Sequence, residues 1–217
     1  MMTLQLDNCT YAKSTLLRLA AGVTQPKTGS VTYGSILSSR REYRRAVAWM
    51  PQDIVAMSGL TAREQVAYAG WLKGMSTRAA WDGALEALAR VDLRDQASKK
   101  AKHLSGGQLR RVGVASALVH GSRILLLDEP TAGMDPQQRG LFRELLAILT
   151  PRMQVLLSTH DVADLADEAD HVTVLDQGRI VFTGHTGDFL QHAPEGTAPG
   201  RAAEAAYAAI SMTGARL

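Results

Sequence analysis

The sequence has one cysteine, Cys9, and no apolar run of about 18 or more residues. A single cysteine cannot form a disulfide within the chain, which favours a cytosolic compartment. Without a long apolar run we expect no membrane-spanning helix, so any membrane role must come through a partner. The first residues also lack the basic start and apolar core of a secretion signal, and we expect none.

The sequence has little excess charge. Its 24 Lys and Arg residues and 21 Asp and Glu residues leave a formal net charge of +3, which predicts no nucleic-acid partner. Hydrophobic residues make up 46% of the 217 residues, so the chain can bury a sizeable core. This length fits one α/β domain, or a core with one inserted subdomain.

Short apolar runs alternate with helical patterns along the chain. Ile124–Leu127 is wholly apolar and precedes Asp and Pro, which is typical of a buried parallel strand. A helix is predicted over 136–149, a second buried strand over 155–158, a helix over 162–169, and a hairpin around Gln177-Gly178. The alternation indicates an α/β fold, a parallel sheet with helices on both faces.

The segment 52–108 has only helical patterns and is predicted to be an inserted helical subdomain. Thr61 with Glu64 forms a capping box sequence, and Thr77 starts a second helix. Trp71 and Trp81 are expected in the core of this subdomain. The remaining boundaries are a core formed by 1–51 and 109–192, and a linker with an alanine-rich tail over 193–217.

Five short segments carry the chemistry. They are Lys13-Ser14-Thr15 opening a helix after a strand, Gln52 after a strand, Leu104-Ser105-Gly106-Gly107-Gln108 opening a helix, Asp128-Glu129-Pro130 ending a strand, and Ser158-Thr159-His160 ending another. Taken singly, each has a simpler explanation, such as a helix start or a structural histidine. Their order and spacing along one chain make a common site the better interpretation.

In these segments the sequence resembles the ATP-binding cassette (ABC) family, over roughly residues 3 to 192, and looks closest to bacterial exporter ATPases. Leu104–Gln108 matches the signature motif, Ile124–Glu129 the Walker B motif with its glutamate, and Gly133-Met134-Asp135 the D-loop. Gln52 matches the Q-loop and His160 the switch histidine. The resemblance implies a P-loop NTPase, RecA-like core with the family's α-helical subdomain inserted.

The resemblance also implies ATP and Mg²⁺ as cofactors and a role for each segment. Glu129, His160 and Gln52 would act in catalysis, and Ser14, Gln52 and Asp128 would hold the metal. The nucleotide would be bound by Lys13, Ser14, Thr15, Ser105, Gly106, Gly107, Gln108, Asp128 and Asp135. Because the signature faces the ATP of the opposite subunit in this family, a second cassette is implied as a partner, in a homo- or heterodimer.

A transmembrane permease subunit is the other partner that the resemblance implies. The protein would then be cytoplasmic and peripheral at the inner face of the plasma membrane, and would power translocation of a substrate by that permease. A cassette acting on nucleic acid or ribosomes is disfavoured, because there is no zinc-type cysteine spacing or long coiled-coil insertion. Kinases and GTPases of the P-loop class lack the LSGGQ segment.

The phosphate loop departs from the family pattern. Asp7, Thr10 and Ala12 stand where glycines are expected, and only Lys13-Ser14-Thr15 remains. A non-Gly residue in the required backbone conformation costs about 1–3 kcal/mol, so each replacement opposes ATP binding. The N-terminal antiparallel β-layer is also expected to be largely missing. Both features suggest a truncated or mis-started N-terminus or a degenerate paralogue, and they leave open a catalytically impaired pseudo-ATPase that completes a partner cassette's site.

Overall fold

The computed structural model describes residues 2–5, 13–160 and 169–214. It divides into two compact units, Met1–Leu6 with Leu17–Ser158, and Asp7–Leu16 with Thr159–Leu217. In chain order the strands and α-helices are β1 Met2–Gln5, α1 Lys13–Ala20, β2 Ser30–Tyr33, β3 Ile36–Leu37, α2 Arg41–Ala46, β4 Val47–Met50, α3 Ala62–Leu72, α4 Thr77–Arg90, α5 Gly106–Leu118, β5 Ile124–Asp128, α6 Pro136–Leu149, β6 Gln154–Ser158, β7 His171–Asp176, β8 Arg179–His185, α7 Thr186–Leu190 and α8 Ala202–Gly214.

The first unit contains a parallel sheet in the order β4-β5-β6. Val47 pairs with Ile124, and Ile124 in turn pairs with Gln154, so the three strands end at one edge. Every residue of the central strand β5 is buried, as its unbroken apolar run predicts for a strand covered on both faces. The predicted α/β fold with a parallel sheet is therefore confirmed.

Helices that precede β5 and a helix that follows it in the sequence contribute to the core of this unit. Leu88 of α4, Val112 of α5, Leu125 of β5 and Phe142 of α6 belong to one buried cluster. Full burial of each such side chain stabilises the fold by about 1.5–3 kcal/mol. The core therefore fixes the ends of β5 and β6 and the start of α5, where the predicted site residues lie.

The helical segment between β4 and α5 starts as its capping signals predict. The Thr61 side chain accepts a hydrogen bond from Glu64 N, and the Glu64 carboxylate accepts one from Thr61 N. The helix predicted at Thr77 is α4, capped by Ser76. The expectation that Trp71 and Trp81 are core residues is wrong, because they are 53% and 43% exposed.

A second, antiparallel sheet in the first unit has the order β1-β2-β3. This sheet consists of two four-residue strands and one two-residue strand. Next to it in sequence, α2 is anchored by Tyr43, which is fully buried and donates a hydrogen bond to Ala20 O over 2.5 Å. Burial raises the pKa of Tyr43 to about 12.

The second unit contains the β7–β8 hairpin and helices α7 and α8. The hairpin confirms the turn predicted at Gln177-Gly178, where both residues have positive φ. Val172, Val174 and Phe189 pack with Ala206 and Ile210 of α8 in a separate core. The helix predicted over 162–169 falls, apart from Ala169, outside the described residues. No helix among the described residues is long and apolar enough to cross a membrane.

Candidate functional site

Asp128 and Glu129 lie at the carboxyl end of β5, the edge where ligands bind in open α/β sheets. Asp128 is 3% exposed and Glu129 is 8% exposed. Ser158 is the register partner of Asp128 on β6, and its Oγ donates a hydrogen bond to Asp128 Oδ1 over 2.8 Å. A buried carboxylate is thus held by a neighbouring strand, which compensates part of its desolvation.

Glu129 has a backbone φ of +47°, in the left-handed region that non-Gly residues rarely adopt. Its N–H donates to Ser158 O over 3.0 Å and to Ser158 Oγ over 3.2 Å. Such a conformation costs about 1–3 kcal/mol and persists where surrounding contacts impose it, often at functional sites. β6 therefore orients the turn that carries the predicted general base.

Ser158 was not among the predicted site residues, although its segment was recognised. Its contacts place it between Asp128 and Glu129. The parallel register of two adjacent predicted strands, each ending in a polar residue, is the sequence signal that points to such a contact. Arg110 was also missed, and its Nη1 donates to Glu129 O over 3.1 Å.

The signature segment opens α5 with Ser105 as its N-cap. Ser105 Oγ accepts from Gln108 N over 3.2 Å, and Gln108 Oε1 accepts from Ser105 N over 3.1 Å. Ser105 and Gly106 are exposed, and a Cβ on Gly106 would meet no atom within 4 Å. This helix end is consequently open and has free backbone N–H groups, which favour an anion.

A shallow pocket adjoins this helix end. Ser105, Gly107 and Gln108 line it on α5, and Met134 and Gln138 line it from the segment after Glu129. Asp135 is the N-cap of α6, and its Oδ1 accepts from Gln138 N over 2.8 Å. The structure therefore brings the predicted signature and D-loop residues of the first unit to one surface.

Gln52 lies in the exposed loop that follows β4, next to Asp53. Because β4 is parallel to β5 and adjacent to it, this loop leaves the sheet at the same edge as Asp128. A loop residue at this edge is positioned to respond to a ligand there. The sheet topology thus places Gln52 at this edge.

Three further predicted residues, Lys13, Ser14 and Thr15, form the start of α1, and the first turn of this helix belongs to the second unit. Lys13 Nζ donates to Thr159 O over 2.7 Å, beside the exposed His160. The helix start and the 159–160 segment are therefore in contact through Lys13. The replaced loop positions Asp7, Thr10 and Ala12 lie outside the described residues.

The donor set suits Mg²⁺ better than a transition metal. No group of three or more His, Cys, Asp or Glu side chains with metal-binding geometry occurs in the described part of the chain. Mg²⁺ is usually bound through one or two carboxylates together with hydroxyl, water and phosphate oxygens. Asp128 supplies a carboxylate of this kind at the end of β5, which fits the metal that the resemblance implies.

Comparison with known proteins finds relatives over most of this chain. Residues 12–132 match the family model described as ABC transporter. The chain is 33% identical to the uncharacterized ABC transporter ATP-binding protein YxlF of Bacillus subtilis, over 82% of this chain and 60% of that protein. It is 30% identical to the linearmycin resistance ATP-binding protein LnrL of the same organism, over 81% of this chain and 58% of that protein.

A solved structure is similar over a comparable share of the chain. It is the dimeric post-hydrolysis state of the ATP-binding cassette MJ0796 bound to ADP and Pi, with 28% identity, a TM-score of 0.70, and coverage of 80% of both chains. The chain spans about 60% of the length of the two curated relatives.

Proposed function

This chain belongs to the ABC transporter family, and from that premise we propose that it is the ATP-binding, ATP-hydrolysing subunit that powers a separate membrane permease. The observation that carries the proposal is the arrangement at the end of β5. There a buried Asp128 and a backbone-constrained Glu129 are both held by Ser158. The open start of α5 supplies an anion-binding helix end in the same unit.

We assign the chemical steps to residues of this chain as follows. Glu129 polarises the attacking water as a general base, and His160 contacts the γ-phosphate. When the nucleotide binds, Lys13 Nζ leaves its hydrogen bond to Thr159 O and contacts the β- and γ-phosphates instead. Asp128, Ser14 and Gln52 would hold Mg²⁺, which when bound offsets the negative charge of the phosphates.

The open α5 end supports a dimer as the active form. The start of α5, formed by Ser105, Gly106 and Gly107, faces solvent. An ATP held by a second cassette would be the ligand of this helix end. Asp135 would contribute to the same interface from the start of α6. The dimeric assembly of the similar cassette MJ0796 supports this proposal.

A groove in the helical segment supports a permease partner. It is lined by Ala67, Tyr68, Trp71 and Trp81 of α3 and α4, three of which are large exposed side chains. Exposed apolar surface of this kind favours a protein contact. We propose that the permease docks here, which would hold the subunit at the inner face of the plasma membrane.

Phosphate release from Mg·ATP tests this function. Glu129→Gln removes the general base at constant shape, so we expect kcat to fall by about 100-fold or more, since such bases contribute about 10²–10⁴-fold. The same variant should accumulate as a dimer in Mg·ATP on size-exclusion chromatography. Glu144→Gln, an exposed position on α6, is the matched control and should retain the unmodified rate. Equal rates for Glu129→Gln and the unmodified chain would overturn the assignment.

A further inference from the structure

Arg110 lies on α5 two residues after Gln108, and its guanidinium reaches the turn that carries Glu129. Its Nη1 donates to Glu129 O over 3.1 Å and to Pro130 O over 3.2 Å. The adjacent Arg111 turns away and donates to Val91 O over 3.2 Å. Only one of these two neighbouring arginines therefore connects the signature helix to the Glu129 turn.

The carbonyls that Arg110 contacts belong to a strained part of the backbone. Glu129 has a φ of +47°, and its carbonyl also accepts a hydrogen bond from Ala132 N over 3.2 Å. Two adjacent carbonyl oxygens directed at one point repel each other, and a positive donor between them removes this repulsion. A guanidinium is rigid and permanently charged, so it can fix both carbonyls at once.

A negative charge in the loop of Gln52 also acts on the Arg110 guanidinium. Partial burial lowers the pKa of Arg110, and the negative charge of Asp53 opposes that effect. Asp53 directly follows Gln52 in the sequence. The loop that follows β4 therefore supplies a negative charge that favours the charged form of Arg110.

We propose that Arg110 is a positioning residue, which fixes the two carbonyls after the left-handed Glu129 backbone and so holds the turn that carries this side chain. The inference rests on the proposed function, because it concerns the geometry of the proposed general base. Arg110 itself does not touch the reacting atoms.

Amide hydrogen exchange of the nucleotide-free protein tests the positioning role directly. Arg110→Met should accelerate exchange at the amides of Glu129 and Ala132 about tenfold, because the turn loses two of its hydrogen bonds. Arg110→Lys keeps the positive charge but loses the planar guanidinium that contacts both carbonyls. Its exchange rates should therefore lie between those of Arg110→Met and the unmodified protein. The control is Arg63→Met, which also removes guanidinium bonds to a carbonyl, that of Trp81, in the helical segment. It should leave the Glu129 and Ala132 amides unchanged.

Turnover separates positioning from a general structural role. With Mg·ATP, Arg110→Met should lower kcat about tenfold or more while KM changes less than about threefold, since Glu129 acts in the chemical step. Arg110→Lys should recover part of kcat, and Arg63→Met should match the unmodified chain. Thermal unfolding of each variant shows whether the fold is retained.

Each outcome decides one of the two claims. Unchanged exchange at Glu129 and Ala132 in Arg110→Met, or a kcat equal to that of Arg63→Met, overturns the positioning role. An unmodified chain without turnover contradicts the proposed hydrolysis, and the exchange comparison then decides the positioning role alone. Accelerated exchange together with the selective loss of kcat supports both.

Discussion

The Ser158 hydroxyl contacts both carboxyl-bearing residues at the end of β5. It donates to Asp128 Oδ1 and accepts from Glu129 N. Hydrogen bonds to charged groups contribute about 1.5–3 kcal/mol, more than neutral ones. The same side chain of the adjacent strand thus contributes to the position of Asp128 and to the backbone conformation of Glu129.

Ser158→Ala should therefore lower the free energy of unfolding by about 1–3 kcal/mol, because a buried carboxylate loses a donor. Urea denaturation at pH 7 measures the change. Ser122→Ala is the control, since Ser122 Oγ donates to the neutral Ala117 carbonyl over 3.0 Å and its loss should cost only about 0.5–1.5 kcal/mol. A smaller effect for Ser158 than for Ser122 would contradict the described contact.

His120, in the turn after α5, should make stability depend on pH. Both of its ring nitrogens are buried and lack a hydrogen-bond partner among the described residues. Burial, and secondarily the charge of Lys73, lowers the pKa of His120 from 6.5 to about 4. Because the unfolded chain binds the proton first, stability is complete above pH 6.5 and falls as the pH approaches 4.

Because of His120, the free energy of unfolding should be about 2 kcal/mol lower at pH 5 than at pH 8. Urea denaturation at the two pH values measures the loss, and His120→Leu should remove that part of it. His103→Leu replaces an exposed histidine and should leave the dependence intact. Identical pH dependences in His120→Leu and the unmodified protein would show that His120 is protonated normally in the fold.

Helices α3 and α5 begin with the same capping motif, so the contribution of the cap to stability can be separated from a role in nucleotide binding. Thr61 with Glu64 caps α3, and Ser105 with Gln108 caps α5, each through a reciprocal capping box. Loss of an N-cap hydroxyl costs about 0.5–2 kcal/mol. Only the α5 start is proposed to bind the nucleotide of a second subunit.

Thr61→Ala and Ser105→Ala should thus destabilise the protein similarly, by about 1 kcal/mol each in thermal or urea unfolding. They should differ in Mg·ATP-dependent dimerisation, measured by sedimentation in the Glu129→Gln background. Ser105→Ala should weaken the dimer, and Thr61→Ala should leave it unchanged. An equal effect of both variants on dimerisation would remove the α5 start from the proposed interface.

At the scale of elements, the parts of the fold with strong local signals were predictable from sequence. The buried strand β5, helix α6 and the caps of α3 and α4 depend on apolar runs and capping residues that act over a few positions. The Arg110 contacts were not predictable, because they depend on the rotamer of one side chain. The Ser158 contacts depend on the register of β5 and β6, which the sequence indicates only through the polar residues that end both strands. Trp71 and Trp81 were misassigned because an apolar aromatic pattern does not distinguish a core face from an exposed groove.

At the scale of the whole molecule, the family match and the altered phosphate loop both bear on the affinity of the protein for Mg·ATP. The family match includes Lys13, Asp128 and Glu129, whereas Asp7, Thr10 and Ala12 replace glycines. Each replacement that must adopt a glycine conformation costs about 1–3 kcal/mol, which weakens affinity by about 5- to 150-fold. We therefore expect Mg·ATP to bind, with an affinity reduced by the loop.

Titration calorimetry of the purified chain with Mg·ATP tests the central claim most directly. We expect saturable binding of one nucleotide per chain, weakened by about tenfold or more in Lys13→Ala, because the variant loses a cation at the phosphates. Lys27→Ala, which removes an exposed lysine, should bind like the unmodified chain. The absence of saturable binding at millimolar Mg·ATP, or equal affinities for Lys13→Ala and the unmodified chain, would contradict the account.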